Sequence, residues 1–370
     1  MGISRVDTSV FTVPTDLPGG DGTATWDSTT IVVVELTAAE GDRGLGYTYG
    51  SAATASFVHD ELAATLLGVE AAEPRRMWAR MVAQVRNAGR QGVAAAAISA
   101  VDMALWDLDA RRLGLPLFRR LGAARDAVNV YGSGGLTAYT AEQVVDQLLG
   151  WVESGTARVK MKIAKDRGRD PDEDLRRVAA VRRAIGGGPE LFVDANGGYT
   201  TKQAVRMADR MAEHGVTYFE EPVSSDQLRE LATIRTMIPM DVAAGEYGYD
   251  PWYFQAMLDA RAVDILQADA TRSLGVTGWL IAADLAYARG LPFSAHCAPA
   301  AHAHLGCAAP AIAHIEYFHD HARLEGMLFE GVPRPFKGSL VPDPSAPGLG
   351  LSLKRADADA YLTSARATEA

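Results

Sequence analysis

Cysteine is nearly absent. The 370 residues include only Cys297 and Cys307, too few for a disulfide framework or a four-thiolate zinc site. An excess of positive charge is absent too: 36 Lys and Arg against 46 Asp and Glu leave a net charge of −10, which argues against a nucleic-acid backbone as partner. The most apolar stretch, 93–106, is interrupted by Asp102 and is too short to span a bilayer. Residues 1–10 lack the apolar segment of a secretory signal, and Val6 breaks the myristoylation pattern. These absences predict a cytoplasmic chain with no membrane or nucleic-acid partner. What is present, 48% hydrophobic and 22% charged residues, supplies a sizeable core and excludes disorder; the length fits two domains or one large barrel with additions.

The chain changes character near residue 125. Before it, strand-like runs at 31–36 and 44–49 are followed by helical patterns at 57–67, 74–87 and 93–113. Segment 14–26 has two Pro and three Gly in 13 positions, which predicts a mobile surface loop or lid. After residue 125 a unit of short strand, turn and amphipathic helix repeats. Strands are expected at 127–132, 158–163, 190–194, 216–220, 241–246, 263–269, 292–296 and 313–317. Helices are expected at 141–153, 171–185, 201–214, 225–238, 251–259 and 276–289, with Asp170 and Asp250 as N-caps before first-turn prolines. Eight alternating strands over this length predict a (β/α)8 barrel, whose functional groups sit at the C-terminal strand ends. An open doubly wound sheet is the alternative, and no G-x-G-x-x-G follows the first strand to support it.

Polar residues fall at those ends. Asp194, Glu220 and Glu246 are each 26 residues apart, one βα unit, so three carboxylates project from one rim of consecutive strands. Three hard oxygen ligands suit one Mg2+ per site; without a cation the acids would raise one another's pKa. In 158–163, Arg158, Lys160 and Lys162 share one strand face and Val159, Met161 and Ile163 the other. Both lysines therefore point into the barrel, where mutual repulsion is expected to lower one pKa toward neutrality and make a general base. Asp269 and His296, 27 residues apart on adjacent strands, form a pair in which the aspartate fixes the imidazole tautomer. Glu316, near the end of the eighth strand, completes the ring and is expected to donate a hydrogen bond if protonated.

Taken together, the K-x-K of Lys160 and Lys162, the Asp194/Glu220/Glu246 triplet, the Asp269–His296 pair and Glu316 resemble the enolase superfamily, mandelate racemase subgroup. The resemblance spans the chain. It implies an N-terminal α+β capping domain over 1–124, a barrel over 125–335 and a C-terminal tail over 336–370 returning to the cap. It also implies Mg2+-dependent removal of the proton α to a carboxylate to give a stabilised enediolate, and a homo-oligomer acting on a small-molecule carboxylate. Lys162 and His296 would serve opposite faces of the α-carbon. Lys160 would contact the carboxylate and depress the pKa of Lys162, and Glu316 would meet the second carboxylate oxygen. Asn196, Ser133, Tyr47 and Trp26 are expected to contact substrate, with Tyr49, Tyr247, Arg272 and His319 as further candidates on the rim. Dehydration of a sugar acid to a 2-keto-3-deoxy acid is the favoured outcome; racemisation of a 2-hydroxy acid is the alternative.

Two other classes fit less well. Six of the eight histidines lie between 296 and 321, which suggests a zinc hydrolase, but the first strand has no H-x-H, and His302 and His304 would face apart on a helix. A binding protein that has lost activity would be expected to lose a base or a ligand, and all are present. Cys297 is expected to be a free buried thiol.

Overall fold

The computed structural model describes residues 2–69 and 73–370. In the N-terminal region, β1 (Ile3–Gly20), β2 (Thr25–Ala38) and β3 (Arg43–Tyr49) form an antiparallel sheet, and the C-terminal strand Leu362–Glu369 pairs along the outer edge of β1. β1, whose polar and apolar residues alternate, was not expected from the sequence. The helix Val93–Arg112 packs between this sheet and the barrel and is buried through most of its length, as an all-round apolar helix must be. Its Asp102 accepts hydrogen bonds from the Thr277 N–H (2.8 Å) and Oγ1 (2.9 Å), tying it to the barrel helix Gly275–Ala288.

Segment 14–26 is not a loop. It is the far end of the β1–β2 hairpin: Gly19 faces Trp26, Gly20 faces Thr25, and within this segment the ladder is irregular between Pro14 and Gly19, a stretch in which two prolines supply no N–H. Asp21 Oδ1 accepts the Thr23 and Ala24 N–H groups and closes the tip. The tip is docked on the barrel rim. Thr137 donates its N–H to Gly20 O (2.9 Å) and its hydroxyl to Asp21 O (2.6 Å), and Arg167 donates to Gly22 O (2.9 Å). A side chain at Gly22 would sit 2.3 Å from Ala195 O, so only glycine permits this approach.

The barrel strands are β4 (Val128–Gly134), β5 (Arg158–Lys162), β6 (Glu190–Asp194), β7 (Val216–Glu220), β8 (Asp241–Ala244), β9 (Ile265–Ala268), β10 (Phe293–Ala295) and β11 (Ile312–Phe318). All pair in parallel and β11 pairs with β4, closing an eight-stranded barrel. Helices Ala141–Glu153, Pro171–Ile185 and Pro251–Asp259 have the expected bounds, and Asp170 and Asp250 cap theirs by accepting from Glu173 N and Tyr253 N. Two helices, Pro299–Ala308 and His319–Leu328, were not anticipated. Inside, Tyr131, Phe192, Tyr218, Ala243 and Ile265 fill one layer, and the charged residues of the strand ends form another.

β8, β9 and β10 are shorter than expected. Glu246, Asp269 and His296 lie one or two residues past the strands, at the start of the following loops. Gly245 makes this possible. Its φ of 138° and a Cβ position 1.8 Å from Gln267 O exclude any side chain.

Among the described residues, no helix is long and apolar enough to cross a membrane.

Candidate active site

Successive inward positions of β5 place Lys160 and Lys162 against the acids of the next two strands. Lys160 Nζ is 2.6 Å from Glu220 Oε2, 2.8 Å from Glu316 Oε1 and 3.4 Å from Asp194 Oδ2, with no exposed surface. Lys162 Nζ bonds Asp194 Oδ2. One ligand atom each from Asp194, Glu220 and Glu246 lies within 4.8 Å of the others, all three residues buried. Glu220 Oε1 has no hydrogen-bond donor, and Glu246 Oε2 has only the His296 ring nitrogen beside it. Converging, partly unsatisfied carboxylate oxygens fit a hard divalent cation, and Mg2+ in particular.

His296 meets a different member of the triplet from Lys162. Its Nδ1 is 2.8 Å from Asp269 Oδ2, and its Nε2 is 3.1 Å from Glu246 Oε2. Asp269 is itself fixed, its Oδ1 accepting the Thr271 N–H and hydroxyl, each at 2.7 Å. The ammonium thus meets the triplet at Asp194 and the imidazole meets it at Glu246.

The electrostatics differ from expectation at two residues. Burial disfavours the Lys162 ammonium, but Asp194 and then Glu246 and Glu220 outweigh both it and the repulsion from Lys160. The pKa is raised rather than lowered, because three carboxylates exceed one like charge. The same balance raises Lys160. Burial would raise Glu316, yet Lys160, His296 and Lys162 hold it below the usual carboxylate range. The expected neutral donor is therefore an ionised acceptor. Burial and the Asp194 charge push Glu220 up to about 8. Burial opposes the His296 imidazolium, and Cys297, Glu246 and Asp269 together raise it.

Above this floor lies a cavity of about 180 Å³. The barrel supplies Lys162, Asn196, Glu246, His296, Cys297 and Glu316; Trp26, Asp21 and Thr29 come from the hairpin. Tyr247 and Arg272 line it as well. Asn196 has a left-handed backbone (φ 45°), donates its N–H to Asp194 Oδ1 at 2.8 Å and leaves its buried Oδ1 free.

Two expected substrate contacts lie elsewhere. Ser133 is fully buried and donates to Glu316 Oε1 at 2.6 Å, so it holds the acid instead of a ligand. Tyr47 donates to Glu325 Oε1 at 2.6 Å and packs against Phe329, outside the cavity wall. His319 likewise turns away, to Asp16 at 2.7 Å, and Tyr49 stacks on His321. Thr29, Phe318, Asp320 and His321 line the cavity and were missed; the density of histidine up to residue 321 was the available signal.

The histidine cluster does not form a hydrolase centre. His302 Nε2 accepts from Ala270 N, and its Nδ1 faces Cys297 O. His304 bonds Phe118 N and Leu349 O. These are backbone ties. A larger groove lined by Trp151, Tyr317 and His319 gathers none of the acids or bases.

A closed barrel carrying converging carboxylates, a buried pair of lysines and an aspartate-backed histidine under a cap defines a class of carbon-acid enzyme. The chain belongs to the enolase superfamily. Residues 5–122 match the mandelate racemase / muconate lactonizing enzyme N-terminal domain, and residues 143–358 match the enolase C-terminal domain-like family. It is 32% identical over 292 residues to L-talarate/galactarate dehydratase of Salmonella typhimurium, covering 78% of this chain and 73% of that one. It is 33% identical over 273 residues to D-galactarolactone cycloisomerase of Agrobacterium fabrum, covering 73% and 71%. A mandelate racemase/muconate lactonizing enzyme-like protein from Rubrobacter xylanophilus superposes with a TM-score of 0.94 at 49% identity, covering 98% of this chain and 100% of that one. The Salmonella dehydratase liganded with Mg and L-lyxarohydroxamate superposes with a TM-score of 0.92 at 27% identity, covering 100% and 94%.

Proposed function

We propose that the chain is a Mg2+-dependent acid-sugar dehydratase. It removes the proton α to a carboxylate and expels the β-hydroxyl as water, giving a 2-keto-3-deoxy acid. Asp194, Glu220 and Glu246 would hold the metal, which would supply positive charge to offset the negative charge that develops as the proton leaves. That charge is needed because a carbon acid beside a carboxylate is very weak.

A cation bound among Asp194, Glu220 and Glu246 would offset the carboxylate charge that raises Lys162, so that its Nζ, once neutral, would take the α-proton from one face. His296 Nε2–H gives a proton to the departing hydroxyl on the other, and the enol then becomes the keto acid. Asp269 keeps the imidazole oriented for this transfer. Lys160 and Ser133 position Glu316, whose carboxylate shapes the floor beneath the substrate, and Asn196 and Trp26 contact the substrate. The observation that carries the proposal is that Lys162 and His296 contact different members of the acid triplet, Asp194 and Glu246, the histidine backed by a buried aspartate. The dehydratase named among the relatives supports the choice of outcome.

The proposal includes the division into a cap over 1–124, a barrel over 125–335 and a tail over 336–370, and a homo-oligomeric cytoplasmic enzyme. Light scattering and fractionation test the last two. The reaction is tested by screening a sugar-acid library with Mg2+ while following 2-keto acid formation and α-proton exchange in D2O. Keto acid supports dehydration. Exchange with inversion and no elimination supports the racemase, and no turnover or exchange with any acid refutes both.

A further inference from the structure

Cys297 is not an idle thiol. Its Sγ is 3.2 Å from His296 Nε2 and 3.4 Å from Glu316 Oε2, and those two atoms are 3.7 Å apart. The three donors form a compact triangle that shares no residue with the Asp194/Glu220/Glu246 triplet and adjoins it where His296 Nε2 lies 3.1 Å from Glu246 Oε2. We propose that His296, Cys297 and Glu316 form a second metal site, selective for thiophilic ions such as Zn2+ or Cd2+, through which those ions block the enzyme.

Four features carry this. The first is size: a tetrahedral zinc with bonds of about 2.3 Å to sulfur and about 2.0–2.1 Å to nitrogen and oxygen separates its ligands by roughly 3.3–3.6 Å. The observed edges lie within a few tenths of an ångström of that, so small side-chain adjustments suffice. The second is support behind each ligand. His296 Nδ1 is engaged by Asp269, which orients Nε2 toward the site in the carboxylate–histidine arrangement of protein zinc centres. Glu316 Oε1 is held by Ser133 and Lys160, leaving Oε2 for the metal; the Cys297 N–H reaches that oxygen at 3.1 Å. The third is access: all three residues line the cavity, so the fourth coordination position opens onto it, and His321 on the same wall has a buried Nδ1 without a partner. The fourth is chemistry. One sulfur and one nitrogen favour zinc or cadmium, whereas the all-oxygen triplet favours magnesium.

Binding releases the thiol proton and the His296 Nε2 proton to the buffer as the metal–sulfur and metal–nitrogen bonds form. The ion takes the His296 Nε2 needed for proton transfer and narrows the cavity without using any of the three magnesium carboxylates as a ligand. Inhibition should therefore persist at saturating Mg2+.

The test is a Cd2+ titration of the Mg2+-saturated protein, following the ultraviolet thiolate-to-metal charge-transfer band. The band should appear in the wild-type and Cys307→Ser proteins and be missing from Cys297→Ser. Zn2+ should inhibit the wild type at concentrations at least about tenfold below those needed for Cys297→Ser, since loss of even an outer-shell partner weakens metal affinity by about 10–100-fold. A band that survives in Cys297→Ser, or zinc inhibition that the substitution leaves unchanged and excess Mg2+ relieves, would overturn the proposal by placing the ion elsewhere. X-ray absorption at the zinc edge on the wild-type protein requires no variant: one sulfur in the first shell supports the site, and an all-oxygen shell rejects it. Neither spectroscopic measurement depends on turnover, so failure here is distinguishable from failure of the dehydratase assignment.

Discussion

The two walls of the cavity are built by different rules. The barrel wall repeats one device, an inward residue at a strand end, and each charged group there is within reach of a partner of opposite sign on a nearby strand. The cap wall is a single hairpin laid across the mouth, with Trp26 and Thr29 on one strand and Asp21 in its turn. Where a scaffold repeats, position follows from spacing. Where one segment crosses from another region, position depends on what it lands on. Chemistry is thus assigned to the repeated wall and selection among acids to the unique one.

The largest expected effects test the barrel wall. Lys162→Ala and His296→Asn should each lower turnover by about 10²–10⁴-fold, the range for loss of a general acid or base, while Mg2+ affinity by calorimetry changes little. Equal loss of metal binding in both would dissolve the distinction between bases and ligands. Removing the metal should abolish activity altogether and restoring it should recover activity. Mg2+ at 100 times its dissociation constant should stabilise the fold by about 2.7 kcal/mol, read as a shift in thermal unfolding.

The cap wall should respond differently. Gly22→Val places a side chain where Ala195 O now lies 2.3 Å from the ideal Cβ. The hairpin tip should lift, raising KM by about tenfold, a 1.4 kcal/mol loss of binding, with kcat changed less. A fall in kcat alone would mean that the hairpin acts on the chemistry as well. Tyr47→Phe sharpens the boundary from outside the cavity. It should cost about 1–3 kcal/mol by stranding buried partners, Glu325 and the Ala301 N–H, with KM unmoved.

The subtlest test concerns the joint between cap and barrel. Burial pushes Asp102 up from 3.8 to about 7. A raised native value means that the folded state holds the proton more tightly than the unfolded state. Stability from this group is therefore full below pH 3.8 and declines as pH rises through about 7. Asp102→Asn should flatten that decline in denaturation midpoints measured between pH 4 and 8.

Much of the barrel was legible because strand spacing and alternation are local properties. The 26-residue steps between Asp194, Glu220 and Glu246, and the inward parity of Lys160 and Lys162, follow from a repeated βα unit and a two-residue side-chain period. The cap hairpin was not legible. Two prolines and three glycines in 14–26 carry the composition of a loop, and only cross-strand pairing and docking to Thr137 and Arg167 make it a strand end. Ser133 and Tyr47 were misjudged for a related reason: residue type and approximate position do not tell whether a hydroxyl faces a ligand or a buried carboxylate.

The order of polar residues along the chain determined which groups meet around the barrel axis, because backbone periodicity converts sequence distance directly into position on a rim. Charge state and accessibility were left to the tertiary structure. The raised Lys162, the ionised Glu316 and the thiol poised between His296 and Glu316 all arise from separations of a few ångströms between side chains distant in sequence. Coulomb interactions at that range depend on packing that no local pattern specifies.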